Sequence, residues 1–255
     1  MSKIIAIANQ KGGVGKTTTC INLARNLHAK NKRVLVIDLD PQGNGLSHLF
    51  ASSLLRQQDY SDEHPSCVWG MFKEESTPEP YVAENGVHVI TTSSRIERIE
   101  MDEIYNFLGS IDNIEERYDY ILLDCPPSSR VLQHAALSVA DFLLIITHTE
   151  PQSVNAVSTI ITTMRKVQRN NKNLRLAGIV MNQLDKKPTK TQMEYSDKLN
   201  NDYGDMMFVN SIYKTIKVNE AASQGLSLAE YMPKHAETYG FNAFFDEFML
   251  RIEGV

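Results

Sequence analysis

The sequence lacks the long apolar runs and the cysteine clusters that mark two large classes of protein. No apolar stretch approaches the roughly 18 residues of a membrane-spanning helix. The N-terminal segment Met1–Ile5 has neither the apolar core nor the cleavage site of a secretory signal. The three cysteines, Cys20, Cys67 and Cys125, are too few and too scattered for a disulfide framework or a CxxC metal site. We therefore expect a cytoplasmic protein with reduced thiols.

Charge of neither sign dominates, since 31 Asp and Glu stand against 26 Lys and Arg in 255 residues. With 42% hydrophobic residues this is an ordinary globular composition, and the length favours one domain over residues 1–255. The basic charge is uneven, because residues 151–182 carry five basic residues and no acidic one. The net charge of −5 therefore does not exclude a nucleic-acid partner.

Short apolar runs alternate with helix-length segments along the chain. Most of the runs are continuously apolar, which is typical of strands covered on both faces in a parallel sheet. The predicted strands are 4–8, 34–39, 87–91, 120–123, 142–147, 176–181 and 206–209, and the predicted helices are 16–30, 96–116, 129–139, 153–171, 189–201 and 234–252. This alternation predicts an α/β fold with a single doubly wound, mainly parallel sheet and helices on both faces. The polar stretch around 51–81 is expected to form a surface excursion.

A glycine-rich segment follows the first predicted strand and opens the first predicted helix. Its residues are Lys11, Gly12, Gly13, Val14, Gly15, Lys16, Thr17 and Thr18. Glycines let backbone N–H groups converge on a phosphate, and the helix N-terminus adds the positive end of its dipole. Lys16 is placed to reach the β- and γ-phosphates, and the Thr17 hydroxyl to coordinate Mg²⁺. The segment predicts a P-loop.

This loop departs from the usual P-loop pattern in two places. Gln10 stands where the first glycine is expected, and a second lysine, Lys11, precedes the glycine pair. The form KGGVGKTT is the deviant Walker A motif, and the sequence resembles the ParA/Soj/MinD superfamily of dimeric ATPases. The resemblance implies that Lys11 reaches across a nucleotide-sandwich homodimer to the partner's bound phosphates. ATP binding and dimerisation would then be one event.

Two acidic motifs stand at the ends of predicted strands. The segment Asp38–Gly43 resembles the family's DxDPQG motif, and Asp124–Pro127 is typical of a Walker B motif and its exit. Carboxylates at the carboxyl ends of parallel strands face the same crevice as the phosphate loop. The resemblance implies that Asp40 positions or polarises the attacking water, as a catalytic residue beside Lys11 and Lys16. It also implies the residues around Mg²⁺, which are Thr17, Asp38, Asp40 and Asp124.

Beyond the phosphate site, the resemblance continues at two places in the C-terminal part of the chain. Asn182 ends the sixth predicted strand, where the family has an asparagine that contacts adenine, and an amide offers the donor and acceptor that the base edge needs. A turn-forming asparagine is the alternative. The segment Ile212–Gly225 resembles a ParA pattern, but Tyr213 and Lys214 replace its proline-arginine pair.

The rest of the sequence, outside the nucleotide motifs, favours the small ParA/Soj-type partition ATPases within the superfamily. The tail 244–253 is acidic, whereas a MinD-like protein ends in a basic membrane-binding helix, so we expect no membrane partner. Resemblance to these partition ATPases implies a cytoplasmic, nucleoid-associated ATPase that binds DNA without sequence preference. It also implies that the protein serves plasmid or chromosome partition together with a centromere-binding ParB-like adaptor. An ATP-locked binding module and a MinD-like membrane-surface positioning ATPase remain as alternatives.

Two groups of basic residues are candidates for contacting DNA phosphates. The helix-end cluster consists of Arg165, Lys166 and Arg169, and the C-terminal cluster consists of Lys214, Lys217 and Lys234. Charged residues on a helix are also often only its solvated face, so both explanations stand for each cluster.

Overall fold

The computed structural model describes residues 2–43, 65–73 and 77–254 of the chain. Its strands are β1 Lys3–Ala8, β2 Val34–Asp38, β3 Tyr81–Val82, β4 His88–Ile90, β5 Tyr120–Asp124, β6 Phe142–Thr147 and β7 Arg175–Met181. The α-helices of the described residues are α1 Lys16–Ala29, α2 Trp69–Lys73, α3 Ile104–Asp112, α4 Arg130–Val139, α5 Pro151–Val167, α6 Lys190–Tyr203, α7 Lys217–Ser223, α8 Leu228–Tyr231, α9 Pro233–Thr238 and α10 Phe241–Glu253.

The strands form one sheet in the order β3-β4-β2-β5-β1-β6-β7. All neighbouring strands pair in parallel except β3, a two-residue edge strand that runs antiparallel to β4. Chain order reverses direction at β1, since β1 pairs with β5 on one side and with β6 on the other. The predicted doubly wound α/β fold is confirmed, and the reversal places the crevice at the carboxyl end of β1.

Alternate residues of the strands enter two apolar layers, one on each face of the sheet. Ile4 and Ala6 of β1 belong to the layer that contains Phe107 of α3, whereas Ile5 and Ile7 belong to the layer beneath α1 and α10. The C-terminal helix buries Phe244, Phe245, Phe248 and Ile252 in that second layer. The tail is therefore packed on the domain, as expected, and the three cysteines are buried and form no disulfide.

Three predicted helices differ from the observed ones. The segment predicted as 96–116 is interrupted, because a 3₁₀ turn at Ser94–Arg98, capped by Ser93, precedes α3. The C-terminal helix predicted over 234–252 is divided into α9 and α10 at Gly240, whose φ of 82° is incompatible with a continuing helix. The helix predicted to reach residue 171 ends at Val167.

The strand predicted at 206–209 and the excursion predicted at 51–81 also differ. Only an isolated bridge joins Met207 to Ile179, and Val209 is 87% exposed, so no seventh parallel strand forms there. Residues 51–64 and 74–76 lie outside the described residues. The described part of the excursion includes α2, whose Met71 and Phe72 are fully buried, so it is not wholly a surface segment.

Candidate functional site

The glycine-rich loop connects β1 to α1 at the carboxyl edge of the sheet. Gly13 and Gly15 have φ values of 75° and 90°, which few residues other than glycine adopt. Asn9, fully buried at the end of β1, donates from Nδ2 to the Ile146 carbonyl at 2.6 Å and accepts from the Lys11 N–H at 3.0 Å. The loop is thereby fixed to β6 with the N-terminus of α1 behind it, the geometry of an anion site.

Lys16 and Thr17 begin α1 and face the strand ends. Lys16 is 7% exposed, and its Nζ donates to the Lys11 carbonyl at 3.3 Å across the loop. Burial lowers the pKa of Lys16, although the nearby Asp124 carboxylate acts in the opposite direction. The Thr17 hydroxyl donates to Asp124 Oδ2 at 2.6 Å. The structure therefore brings Lys16, Thr17 and the aspartate of the predicted Walker B motif together at one end of the glycine-rich loop.

Two carboxylates meet beneath the loop because β2 and β5 are adjacent and in register. Asp38 pairs with Asp124 across the two strands, and both residues are 1% exposed. Burial and the Asp38 carboxylate raise the pKa of Asp124 well above its usual range. Among the described residues, Asp124 Oδ1 is buried and has no hydrogen-bond partner. An orphaned carboxylate oxygen of this kind fits a site for a small divalent cation.

Asp40 lies two residues beyond Asp38, at the rim of the crevice. Its N–H donates to Asp38 Oδ1 at 2.9 Å, and its Oδ1 accepts from the Gln42 N–H at 3.1 Å. The residue is partly exposed, unlike Asp38. The turn thus holds the Asp40 carboxylate at the mouth of the site, where a water molecule has access.

No group of three His, Cys, Asp or Glu side chains in the described ranges is arranged to hold a metal ion alone. Mg²⁺ commonly takes only one or two protein ligands and completes its shell with phosphate oxygens and water. The predicted set Thr17, Asp38, Asp40 and Asp124 is therefore not a preformed cage. The Thr17 hydroxyl and Asp124 lie together, so they suit a cation that arrives with a phosphate.

Lys11 contacts a residue that sequence reasoning did not single out. Its Nζ forms an ion pair with Glu150 of the same chain, and the side chains of Lys11 and Glu150 are 22% and 50% exposed. His148 Nδ1 lies 3.5 Å from Glu150 Oε1 on the other side. Glu150 is the residue before Pro151, the first residue of α5, and nothing in the local sequence marks it as a partner of Lys11. The lysine expected to cross a dimer interface is held within its own subunit.

Asn182 lies at the end of β7 and contacts the loop. It is 5% exposed, and its Nδ2 donates to the Val14 carbonyl at 2.7 Å. Beside it is a cavity of about 140 Å³ that extends to the α7 segment. The cavity is lined by Thr18, Asn182, Gln183, Tyr213, Lys214, Thr215, Ile216, Val218, Asn219 and Phe241. An adenine contact by Asn182 stays a prediction, and the residue has a second contact that the sequence did not indicate.

The basic clusters occupy different surroundings. Arg165, Lys166 and Arg169 are exposed, but only the first two belong to α5, because the helix ends at Val167. In the C-terminal cluster, Lys214 and Lys234 are exposed. Lys217 contacts both carboxylate oxygens of Glu220 at 2.8 Å, so its charge is locally offset.

No helix in the described part of the chain is both long and apolar enough to cross a membrane.

The chain is similar to known proteins over nearly its whole length. A protein-family model described as an AAA domain matches residues 2–176. The sporulation initiation inhibitor protein Soj of Bacillus subtilis is 30% identical over 251 residues, which cover 94% of this chain and 96% of Soj. The chromosome-partitioning ATPase Soj of Thermus thermophilus is 30% identical over 252 residues, covering 98% and 96%. The solved ATP complex of a McdA variant from Cyanothece, at 19% identity, has a TM-score of 0.81 over 99% of this chain and 96% of that chain, which shows a shared fold.

Proposed function

Because the chain belongs to the ParA/Soj-type partition ATPases, we propose that it is a Mg²⁺-dependent ATPase whose ATP-bound dimer binds DNA without sequence preference. Such a dimer would associate with the nucleoid and move a plasmid or chromosome region through a centromere-binding ParB-like adaptor. The observation that carries the nucleotide part is the meeting of Thr17 and Asp124, with its orphaned oxygen, beneath the glycine loop.

The phosphate and metal groups have identifiable partners in the proposed site. The N–H groups of the loop and the N-terminus of α1 would bind the β-phosphate, and Lys16 would contact the β- and γ-phosphates. Thr17, with Asp124 behind it, would hold Mg²⁺, which neutralises charge on the transferred phosphoryl group. Binding an anion beside Lys16 and a cation beside Asp124 would stabilise the charged forms that burial disfavours.

Hydrolysis requires a water molecule in line with the bond between the γ-phosphorus and the bridging oxygen. Asp40 is proposed to orient that water, because its carboxylate is held at the mouth of the crevice by the turn that follows β2. The water oxygen forms the new bond to phosphorus, ADP leaves with the bridging oxygen, and the proton of the water passes to solvent or phosphate. Asp40 acts by orientation, so its removal should spare ATP binding.

The proposed dimer places Lys11 on the partner's phosphates. In the single chain Lys11 is paired with Glu150. That ion pair must therefore break before the lysine crosses the dimer interface. Sedimentation of Asp40→Ala with ATP and Mg²⁺ should show a dimer, whereas Lys11→Ala should remain monomeric. A dimer of normal affinity in Lys11→Ala would remove the cross-subunit role.

The catalytic proposal is tested by two variants measured side by side with the parent protein. Lys16→Ala should lose nucleotide affinity and turnover together, because the lysine contacts phosphates in the ground state and in the transition state. Asp40→Ala should bind ATP like the parent and lose turnover. Hydrolysis by Asp40→Ala at the parental rate would show that another group orients the water.

The proposed DNA contacts use the helix-end cluster or the C-terminal cluster, and the two are separable by charge removal. The C-terminal cluster is preferred because the family's DNA-contacting basic residues lie in this part of the chain and Lys214 and Lys217 match its basic pattern, although Lys217 is partly neutralised by Glu220. Filter binding of random-sequence duplex DNA with and without ATP tests the proposal. A dimer without DNA affinity at low salt would point instead to a protein- or membrane-directed role.

A further inference from the structure

The end of β7 contacts the phosphate loop through two successive side chains. Asn182 Nδ2 donates to the Val14 carbonyl at 2.7 Å, and Gln183 Nε2 donates to the Gly13 carbonyl at 3.2 Å. The approach is close, since a Cβ built on Gly15 would lie 2.2 Å from Asn182 Nδ2. Two consecutive carbonyl groups of the loop therefore face β7 and are held there by amide donors.

The orientation of these carbonyls fixes the direction of the N–H groups that follow them. In a planar trans peptide, the C=O of one residue and the N–H of the next point in opposite directions. Holding the Gly13 and Val14 carbonyls toward β7 therefore turns the Val14 and Gly15 N–H groups away from β7. Successive N–H groups with a shared direction form a concave anion site.

The turn that presents Gln183 is itself fixed on both sides. Gln183 has a φ of 58°, a conformation that costs a non-glycine residue free energy unless its surroundings impose it. Its N–H donates to Asn182 Oδ1 at 2.9 Å, and the next residue, Leu184, donates to the Ile212 carbonyl at 3.1 Å and accepts from the Lys214 N–H at 2.9 Å. The backbone is thus maintained in a strained conformation that directs the Gln183 amide to the loop.

We propose that Asn182 and Gln183 are positioning residues that preorganise the phosphate loop by holding the Gly13 and Val14 carbonyls, and that Gln183 has this as its main role. This role rests on the proposed nucleotide binding. It concerns the phosphate-dependent part of the nucleotide affinity rather than contact with the base, because both side chains contact the phosphate loop. A base contact by Asn182 is compatible with it, since an amide nitrogen carries two hydrogens and only one is used by Val14.

The substitution Gln183→Met tests the proposal because methionine keeps the length of the side chain and removes the donor. The readout is the ratio of the dissociation constants of AMP and ADP, measured by calorimetry at fixed Mg²⁺, because ADP adds the β-phosphate that the loop binds. Loss of one net hydrogen bond corresponds to a fall of about two- to tenfold in ADP affinity. AMP affinity should stay within about twofold of the parent, so the ratio should fall with ADP affinity.

A matched control distinguishes this role from general destabilisation. Gln168 also donates from Nε2 to a main-chain carbonyl, that of Leu174 at 2.8 Å, but at the end of α5. Gln168→Met should leave the AMP to ADP ratio unchanged. Gln183→Gly, which tolerates the φ of 58° and lacks the donor, should lose ADP affinity as Gln183→Met does; parental affinity in either variant would overturn the proposal.

The Asn182→Leu variant separates the two functions of the asparagine. If Asn182 positions the loop, the variant should lower the ADP affinity more than the AMP affinity, and by more than Gln183→Met because the Asn182 contact is shorter and buried. An equal loss for AMP and ADP would overturn the loop role of Asn182. A parent protein that binds neither ADP nor ATP would refute the proposed function itself, and the positioning role with it.

Discussion

The ion pair between Lys11 and Glu150 predicts that removing the carboxylate strengthens the ATP-dependent dimer. In Glu150→Gln the neutral amide no longer attracts Lys11 within its own subunit, so the lysine is released at a lower cost. An ion pair between partly exposed side chains contributes about 0.2–1 kcal/mol. Each dimer releases two lysines, so the gain is about 0.4–2 kcal/mol, or roughly a two- to 30-fold larger association constant.

The assay is analytical ultracentrifugation of the parent and variant proteins with a non-hydrolysable ATP analogue and Mg²⁺ over a range of protein concentrations. Glu116→Gln is the matched control, because Glu116 is exposed and the substitution changes the net charge equally. The difference between Glu150→Gln and the parent should shrink at high salt, which screens exposed charges. Acidic pH should have the same effect, since Lys11 holds the pKa of Glu150 below its usual value and the pair is lost only as pH falls through that lowered pKa.

An unchanged or smaller association constant in Glu150→Gln would refute the reasoning. An unchanged constant would mean that the pair with Lys11 contributes nothing measurable in solution. A smaller constant would mean that Glu150 contributes more to the dimer than to the single subunit, for example by contacting the partner chain.

The other predictions concern the loop, the carboxylate pair and the basic clusters. Gly15→Ala should lower the free energy of unfolding by about 1–3 kcal/mol, because the added Cβ would clash with Asn182 at a φ of 90°. Gly12→Ala is the control and should not lower it, because a Cβ on Gly12 meets nothing within 4 Å. Asp124→Asn should abolish ATP hydrolysis yet raise the melting temperature of the protein without ligands, because it removes a buried charge beside Asp38. The rise should be about 2–4 °C for each kcal/mol of unfavourable charge burial that the substitution removes. Because the pKa of Asp124 is raised in the folded state, the free energy of unfolding of the parent protein falls as pH rises from the usual carboxyl pKa to the folded one. The gain in melting temperature of Asp124→Asn over the parent should therefore grow over that pH window. Neutralising all three basic residues of the cluster that contacts DNA should reduce the slope of log affinity against log salt by about 0.9 per lost phosphate contact, as measured by filter binding. Parental slopes after neutralising the helix-end cluster and, separately, the C-terminal cluster would exclude both surfaces.

The parts of the fold that were predictable are those in which the local pattern decides the structure. The strands β1, β2, β5 and β6 are buried on both faces, so they appear as continuous apolar runs, and each motif at their ends could be placed at one edge of the sheet. The adjacency of Asp38 and Asp124 could not be predicted from a local pattern. It depends on β2 and β5 being neighbours in register, which 85 intervening residues do not encode locally.

Helix boundaries failed where tertiary contacts or single residues decided them. Apolar periodicity across 234–252 gave no indication that the chain turns at Gly240, where a Cβ would lie 2.2 Å from the Ser211 carbonyl oxygen. The apolar run at 206–209 resembled a strand, but Arg251 and Glu247 of α10 bind the backbone groups that a ladder would have used. Local sequence cannot reveal such competition, because the competing groups are distant in the chain.

The missed site residues show the same limit. Gln183 carries no motif, and its role depends on three loops that meet only in the folded chain: the glycine loop, the end of β7 and the segment around Ile212. Its positive φ is what distinguishes it, since strain retained in a non-glycine residue points to a function or to a strong structural constraint. The contact with Gly13 supplies the functional explanation.

The electrostatics of the site explain why its residues are arranged for ligands rather than for stability. Burial lowers the pKa of Lys16 and raises that of Asp124, so the fold disfavours the charged form of both residues. A buried charge costs least when it has a charged or hydrogen-bonding partner, yet Lys16 donates only to the Lys11 carbonyl and one Asp124 oxygen has no partner among the described residues. A phosphate beside the lysine and a cation beside the aspartate would stabilise both charges at once. Nucleotide and metal should therefore bind cooperatively, each increasing the affinity for the other by the same factor.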